Sequence, residues 1–173
     1  LVEQDFSIDT CTDFSLLNLM GYLLLAEKDY ASCTHIFEKY ILLAQQIKNK
    51  ENEHIGLHQL AMIYREKGDF HKALKLIEDE EKIVEEYFPN DNLKKAVNNY
   101  EQGYVRFKLN NLDEALTFMN LSLELSLETD DVISQACSYR GLGEIYLALE
   151  DRELSNRHFK RAIELFESVG EFE

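Results

Sequence analysis

A single proline and seven glycines in 173 residues leave little material for sheets joined by tight turns. Long apolar runs are missing too. The longest, such as Tyr22 to Ala26, fall far short of the roughly 20 residues that a membrane span requires. No leader with a basic, then apolar, then small-residue pattern is visible, so no signal peptide is expected. Only three cysteines occur, Cys11, Cys33 and Cys137. Their odd number and wide spacing exclude a disulfide framework and a Cys-x-x-Cys metal pair, and suit a reducing cytoplasm. Basic residues are scarce: 18 Lys and Arg face 33 Asp and Glu, for a net charge of −15. Such a surface repels a phosphate backbone and an anionic membrane, so neither direct nucleic-acid binding nor membrane binding is expected. A cationic or apolar partner is easier to accommodate. What is present is 45% hydrophobic residues, enough to bury a continuous core. The chain opens on Leu1, and we expect a piece of a longer protein.

The apolar residues recur at helical spacing. After a first segment, 1–10, with Leu1, Val2, Phe6 and Ile8, the residues Thr12 and Asp13 are N-cap types. Leu17, Met20, Gly21 and Leu24 then share a helix face ending near Glu27, and Asp29-Tyr30 marks a turn. Cys33, Phe37, Tyr40 and Leu43 form a second helix, ending near residues 48–52. A second pair starts near His54, with Leu57, Leu60, Ala61 and Tyr64, turns at Gly68-Asp69, and continues from Ala73 to Tyr87. Pro89-Asn-Asp-Asn is the clearest break. A third pair spans 93–127 with a turn at Asn110-Asn111. The fourth carries Tyr139, Leu142, Gly143 and Tyr146, a turn near Glu150-Asp151, then Ser155, Phe159 and Ala162, and ends at Gly170, a C-cap type.

The small residues Gly21, Ala61, Gly103 and Gly143 recur at intervals of 40, 42 and 40 residues. Each is followed after 12 residues by another small one: Cys33, Ala73, Ala115 and Ser155. The constant offset means that each pair of helices is one repeated unit, while the connections between pairs vary. The expected fold is all-α, a right-handed solenoid of four helix-turn-helix repeats at about 13–52, 53–92, 93–131 and 132–170, forming one domain.

Tyr139, Leu142, Gly143, Tyr146, Phe159 and Ala162 resemble the tetratricopeptide repeat, as do Leu57, Leu60, Ala61, Tyr64, Gly68 and Ala73. Leu17, Met20, Gly21 and Phe37 follow the pattern loosely, and Asn99, Gln102, Gly103, Arg106 and Ala115 most loosely. The usual repeat is about 34 residues long, so these units are longer by roughly two helical turns, and the closing proline is missing. Long repeats of this kind resemble those of Gram-positive peptide-sensing regulators. That resemblance implies a peptide-binding groove, with asparagines on the peptide backbone, that controls an attached DNA-binding domain or a partner protein.

In such a solenoid the first helix of each pair lines the concave side. Positions avoiding both the small-residue seam and the core are Asn18, Tyr22 and Leu25; His58, Met62 and Arg65; Tyr100, Tyr104 and Phe107; and Arg140, Glu144 and Leu147. Each trio is spaced i, i+4, i+7, one helix face. Asn18, with Asn98 or Asn99, suits hydrogen bonds to an extended peptide. Arg65 and Arg140 suit a ligand carboxylate. Tyr100, Tyr104 and Phe107 either supply ligand contacts or pack between helices, and the arginines either meet a ligand or pair with the abundant carboxylates.

Other patterns lead nowhere. His54 and His58 are one turn apart, but Ile55 stands where a His-Glu-x-x-His site needs glutamate. The acidic residues Glu78-Asp79-Glu80-Glu81 with Glu85-Glu86 read as a solvated helix face and lack the glycine of an EF-hand. Asn120-Leu121-Ser122 fits a glycosylation sequon but falls within a helix. Cys33 fills a packing slot. No phosphate loop, nucleophile elbow or acid–base pair is present, so neither enzyme activity, metal nor cofactor is expected.

The expected function is therefore a peptide- or protein-binding module, the ligand-sensing domain of a bacterial cytoplasmic transcription regulator. The alternatives are an interaction scaffold without switching and a regulatory piece of an enzyme such as a response-regulator phosphatase. Neither end shows a polar capping helix, so one terminal repeat is expected to be covered, for instance in a homodimer.

Overall fold

The computed structural model describes residues 11–170. Among them are eight α-helices and no strand: α1 (Phe14–Ala26), α2 (Tyr30–Gln46), α3 (Lys50–Glu66), α4 (Phe70–Tyr87), α5 (Asn92–Lys108), α6 (Leu112–Leu127), α7 (Val132–Ala148) and α8 (Arg152–Ser168). This is an all-α helical-repeat solenoid fold. The first ten residues, with the apolar positions singled out above, lie outside the described part.

Acidic and amide caps start the helices. The Asp13, Asp29, Asp91, Asp131 and Asp151 carboxylates accept the amides of Leu16, Ser32, Lys94, Ser134 and Leu154. Each such cap is worth about 1 kcal/mol. Asn49 does the same for α3, accepting from the Asn52 amide, so that helix begins at Lys50 and not near His54.

The turns inside the pairs share one geometry. Lys28, Gly68, Asn110 and Glu150 all have positive φ, at 60°, 77°, 64° and 63°. After each, an amide reaches back over the helix end: Asp29 to the Leu24 carbonyl, Asp69 to Tyr64, Asn111 to Arg106 and Asp151 to Tyr146, at 2.9–3.0 Å. This left-handed C-terminal closure followed by an aspartate or asparagine explains why the turn never changes length. The 12-residue offset has a second cause. Cys33 Sγ donates to the Gly21 carbonyl at 3.3 Å, and Ser155 Oγ donates to the Gly143 carbonyl at 2.9 Å. A Cβ on Gly21 would lie 2.4 Å from the Phe37 ring, and one on Gly143 would lie 2.8 Å from the Phe159 ring. The small residues let an aromatic ring lie on the backbone of the partner helix.

The chain divides into two compact units, Leu1–Leu76 and Ile77–Glu173, with α4 running through the boundary. In the first, Leu17, Cys33, Ile36, Phe37, Tyr40, Leu60 and Ile63 form an apolar core. In the second, Ala115, Met119, Leu142 and Ile145 form a core flanked by Tyr100, Tyr104, Phe107 and Tyr146. Here α5 packs on α6 and α7, α6 on α7, and α7 on α8.

Candidate functional site

The second unit offers a built surface on the common face of α5 and α7. Tyr100 and Tyr104 stack, with ring centroids 6.3 Å apart and planes 25° apart. From α7, Arg140 Nη2 donates to Tyr100 Oη at 2.8 Å. Arg140 also lies 4.0 Å from the Glu144 carboxylate one turn on. Burial pushes the Tyr100 phenol up to about 12, against the pull of the neighbouring guanidinium. Burial opposes the charge of Arg140, but Tyr100, Cys137 and Glu144 outweigh it and hold the guanidinium above its ordinary value. The pair is thus a neutral phenol accepting from a permanent cation, with further guanidinium donors left for other acceptors.

Beside this pair lies an apolar cleft of about 170 Å³ between α5 and α7, closed below by Ser122 of α6. Val97, Tyr100, Ile133 and Cys137 line its walls. Ile133 and Leu147 are exposed on the same helix face. The arrangement pairs an apolar recess with adjacent guanidinium donors and a phenol.

The expected site residues fall into three groups. Tyr100, Tyr104, Arg140 and Glu144 come together on this face. Phe107 packs against the core of its unit, while Lys108 Nζ lies 5.3 Å from its ring centre and 5.0 Å from that of Tyr104. Asn99 does not join Tyr100. One residue step turns a helix by about 100°, and Asn99 lies instead on the flank of α5 facing α4 and α6. Asn98 is buried and donates to the Ile77 carbonyl and the Glu80 carboxylate. The third group belongs to the first unit. Tyr22 Oη accepts from Gln59 Nε2 at 2.8 Å, which joins α1 to α3. Asn18 has a buried Oδ1 with no partner. His58 and Met62 are half-buried on α3, and Arg65 is paired at 3.4 Å with its neighbour Glu66.

Not expected in this geometry were Gln59, Val97, Ile133 and Cys137, with Ser122 on α6. The first four sit one residue, one turn or two turns from an expected position, so a wider and longer face on the helical wheel would have included them; Ser122 belongs to the second helix of its pair. The carboxylate-rich stretch of α4 is also more than a solvated face. Glu80 is fully buried, because it receives the Asn98 amide.

Among the described residues no three His, Cys, Asp or Glu side chains gather to hold a metal ion. Burial, with the Asp29 charge nearby, pushes the Cys33 thiol up to about 11, which suppresses the nucleophilic thiolate. No helix among the described residues is long and apolar enough to cross a membrane.

Comparison with known proteins bears on the repeats. Two family models described as tetratricopeptide repeat match residues 91–168 and 56–79, together more than half of the chain. Curated proteins gave no match. Among solved structures, BtubC (BKLC) from P. vanneervenii superposes with a TM-score of 0.78 at 14% identity, over 98% of this chain and 68% of that one. A putative kinesin light chain from Podosopora anserina with nearly identical TPR-like repeats gives 0.69 at 14% identity, over 91% and 76%. MamA (residues 41 to the end) from Desulfovibrio magneticus RS-1 gives 0.63 at 20% identity, over 90% and 77%. At such identities the likeness is one of fold. With the repeated small-residue seam, the shared turn and the two family matches in hand, this chain belongs to the tetratricopeptide-repeat family.

Proposed function

We propose that the common face of α5 and α7 binds an extended peptide or an extended segment of a partner protein. The observation that carries this reading is the Arg140–Tyr100 hydrogen bond beside an apolar cleft. A preformed recess with a cation at its edge suits an apolar side chain flanked by a carbonyl or carboxylate. Tetratricopeptide repeats are a protein-interaction fold, and the arrangement calls for recognition without a chemical step. The long repeats support the finer reading of a ligand-sensing domain in a bacterial cytoplasmic transcription regulator, in which ligand shifts an equilibrium between two repeat packings.

The test starts from a peptide library captured on the immobilised chain. Each retained peptide is then titrated calorimetrically against the wild type and a Tyr104→Ala/Arg140→Ala variant whose helicity is unchanged. Affinity is expected to fall at least about tenfold, the equivalent of one charge-assisted hydrogen bond. Equal affinity would remove this face from the binding site. For the sensor reading, the retained peptide must also change amide exchange in α5 to α8; binding with no such change favours a non-switching scaffold.

A specific observation favours self-association as well. Leu16, Leu19 and Leu23 are exposed at 37%, 56% and 58% along one face of α1. A Leu19→Lys/Leu23→Lys variant is expected to sediment as monomer where the wild type shows dimer; a monomeric wild type at high concentration would end this reading.

A further inference from the structure

The position four residues before each small seam residue holds Leu17, Leu57, Asn99 and Tyr139 in the four repeats. Leu17 and Leu57 are buried, and Tyr139 lies against the His158 ring. The third repeat alone puts a short polar side chain in this slot. There a cleft of about 270 Å³ opens between α4, α5 and α6. It is separate from the α5–α7 face, on another side of α5.

Its lining is chemically divided. Phe118 and Leu121 of α6 provide an apolar wall, and Glu81 and Glu85 of α4 provide carboxylates. Asn99 lies at the base, 8% exposed. Its Nδ2 donates to the Lys95 carbonyl at 2.8 Å, which sets the orientation of the amide, and its buried Oδ1 has no partner. A buried amide oxygen without a donor costs free energy until one arrives. Lys95 also lines the cleft, but its ammonium is engaged by the Pro89 carbonyl. Burial pushes the Glu81 carboxyl above its ordinary value, partly offset by a hydrogen bond from Gln102, and the Glu85 charge adds to the rise. The cleft therefore offers an unused acceptor, two carboxylates and an apolar wall.

From this arrangement we infer that the α4–α5–α6 cleft is a second binding site, which takes an arginine side chain of a partner protein. The methylene stem lies on Phe118 and Leu121, and the guanidinium faces Glu81 and Glu85 with one N–H within reach of Asn99 Oδ1. Guanidinium is preferred to ammonium because its planar, forked donors serve two carboxylates and an amide oxygen at once. The strongly acidic chain, at −15 net charge, also draws a basic segment toward it. The inference is independent of the peptide face proposed above.

The probe is N-acetyl-arginine-methylamide, titrated into the full chain and followed by NMR at the Asn99 side-chain amide and the Leu121 methyls. The apolar analogue with norleucine and the free polyamine spermidine are run beside it. Saturable shifts at both reporters are expected with the arginine probe, at least about tenfold weaker binding with norleucine, and the same loss in a Glu81→Gln/Glu85→Gln variant. Leu121→Lys, at an exposed position, removes the methyl reporter and is expected to abolish the shift at Asn99 by adding a second cation to the cleft beside Lys95. Tyr104→Ala/Arg140→Ala is expected to leave them unchanged. No saturable shift at Asn99, equal binding of norleucine, tighter binding of spermidine, or full binding by the glutamine variant would each overturn the inference.

Discussion

The first unit and the third repeat fill the same pattern with opposite chemistry. In the first, Leu60 and Tyr64 flank Ala61 on α3, and the core around Phe37 and Ile36 is apolar. In the second, the equivalent positions on α5 hold Gln102 and Arg106 around Gly103. With Asn98 one turn earlier they form a buried polar ladder. Gln102 Nε2 donates to Asn98 Oδ1 at 3.0 Å, and Arg106 Nη1 donates to Gln102 Oε1 at 2.8 Å. Arg106 Nε then meets Glu114 at 2.9 Å, while its guanidinium lies 4.2 Å from the Phe118 ring centre. Small hydroxyls continue the theme: Ser122 and Ser138 contact each other at 2.8 Å, and Ser122 donates to the Ala96 carbonyl. The repeat backbone therefore does not demand an apolar seam. It demands that most buried groups be matched, either by dispersion contacts or by hydrogen bonds; Asn18 Oδ1 and Asn99 Oδ1 are exceptions. The polar solution leaves a buried group unmatched when one member is removed, and it leaves room for chemistry at its edges.

That contrast is open to measurement by urea unfolding. Phe37→Ala is expected to have the largest effect, a loss of about 3–5 kcal/mol from a fully buried ring. Arg106→Ala should cost about 2–3 kcal/mol, below the usual figure for a broken buried pair because Glu114 and Glu78 remain in contact with water. The salt dependence separates the two: the Arg106 cost shrinks at high ionic strength and the Phe37 cost does not. Equal salt dependence would erase the distinction between the apolar core and the polar ladder.

The seams are compared with alanine. Gly21→Ala drives a Cβ to 2.4 Å from a core ring, whereas at Gly103 the nearest atom is 3.1 Å away. Gly21→Ala is expected to lower stability by about 1–3 kcal/mol, and Gly103→Ala by clearly less. A reversed order would show that the Phe37 ring moves aside easily.

The smallest effect concerns pH. His158 stacks on Tyr146 at 5.3 Å, and burial, then the Arg157 charge, holds its imidazole below its ordinary 6.5. The unfolded chain therefore binds the proton more readily than the folded one. This part of the stability is complete above 6.5 and is lost as pH falls from there through the depressed folded value. Glu81, held high, contributes the opposite slope above its ordinary 4.5, so the test is a difference. Stability of the wild type relative to His158→Gln should decline between neutral pH and pH 5; a flat difference would place the ring in a looser setting.

Much of this was legible along the chain. Eight helices, their pairing and the turns at Asp29, Gly68, Asn110 and Glu150 follow from periodicity and turn chemistry, both of which are local. The placement of Tyr100 with Arg140 is also legible in part, since both occupy the same repeat position. Asn99 was less so. Its residue type suits a ligand, yet a rotation of one residue on the helix carries it to another face. Nothing in the spacing announced that Glu80 would be buried or that Arg106 would lie over Phe118, because those depend on which side chains of α4 and α6 meet α5.

The sequence alone determined the architecture: a helical period, small residues at a constant offset and capped turns admit one repeat unit, since each acts over a few bonds or one helical turn. Only the tertiary structure decided which polar residues are buried, that Arg140 hydrogen-bonds the Tyr100 phenol, and that the third repeat leaves a cleft where its neighbours put Leu or Tyr. Those outcomes are set by the volumes and donors that three helices bring to one point, and these are not adjacent in the chain.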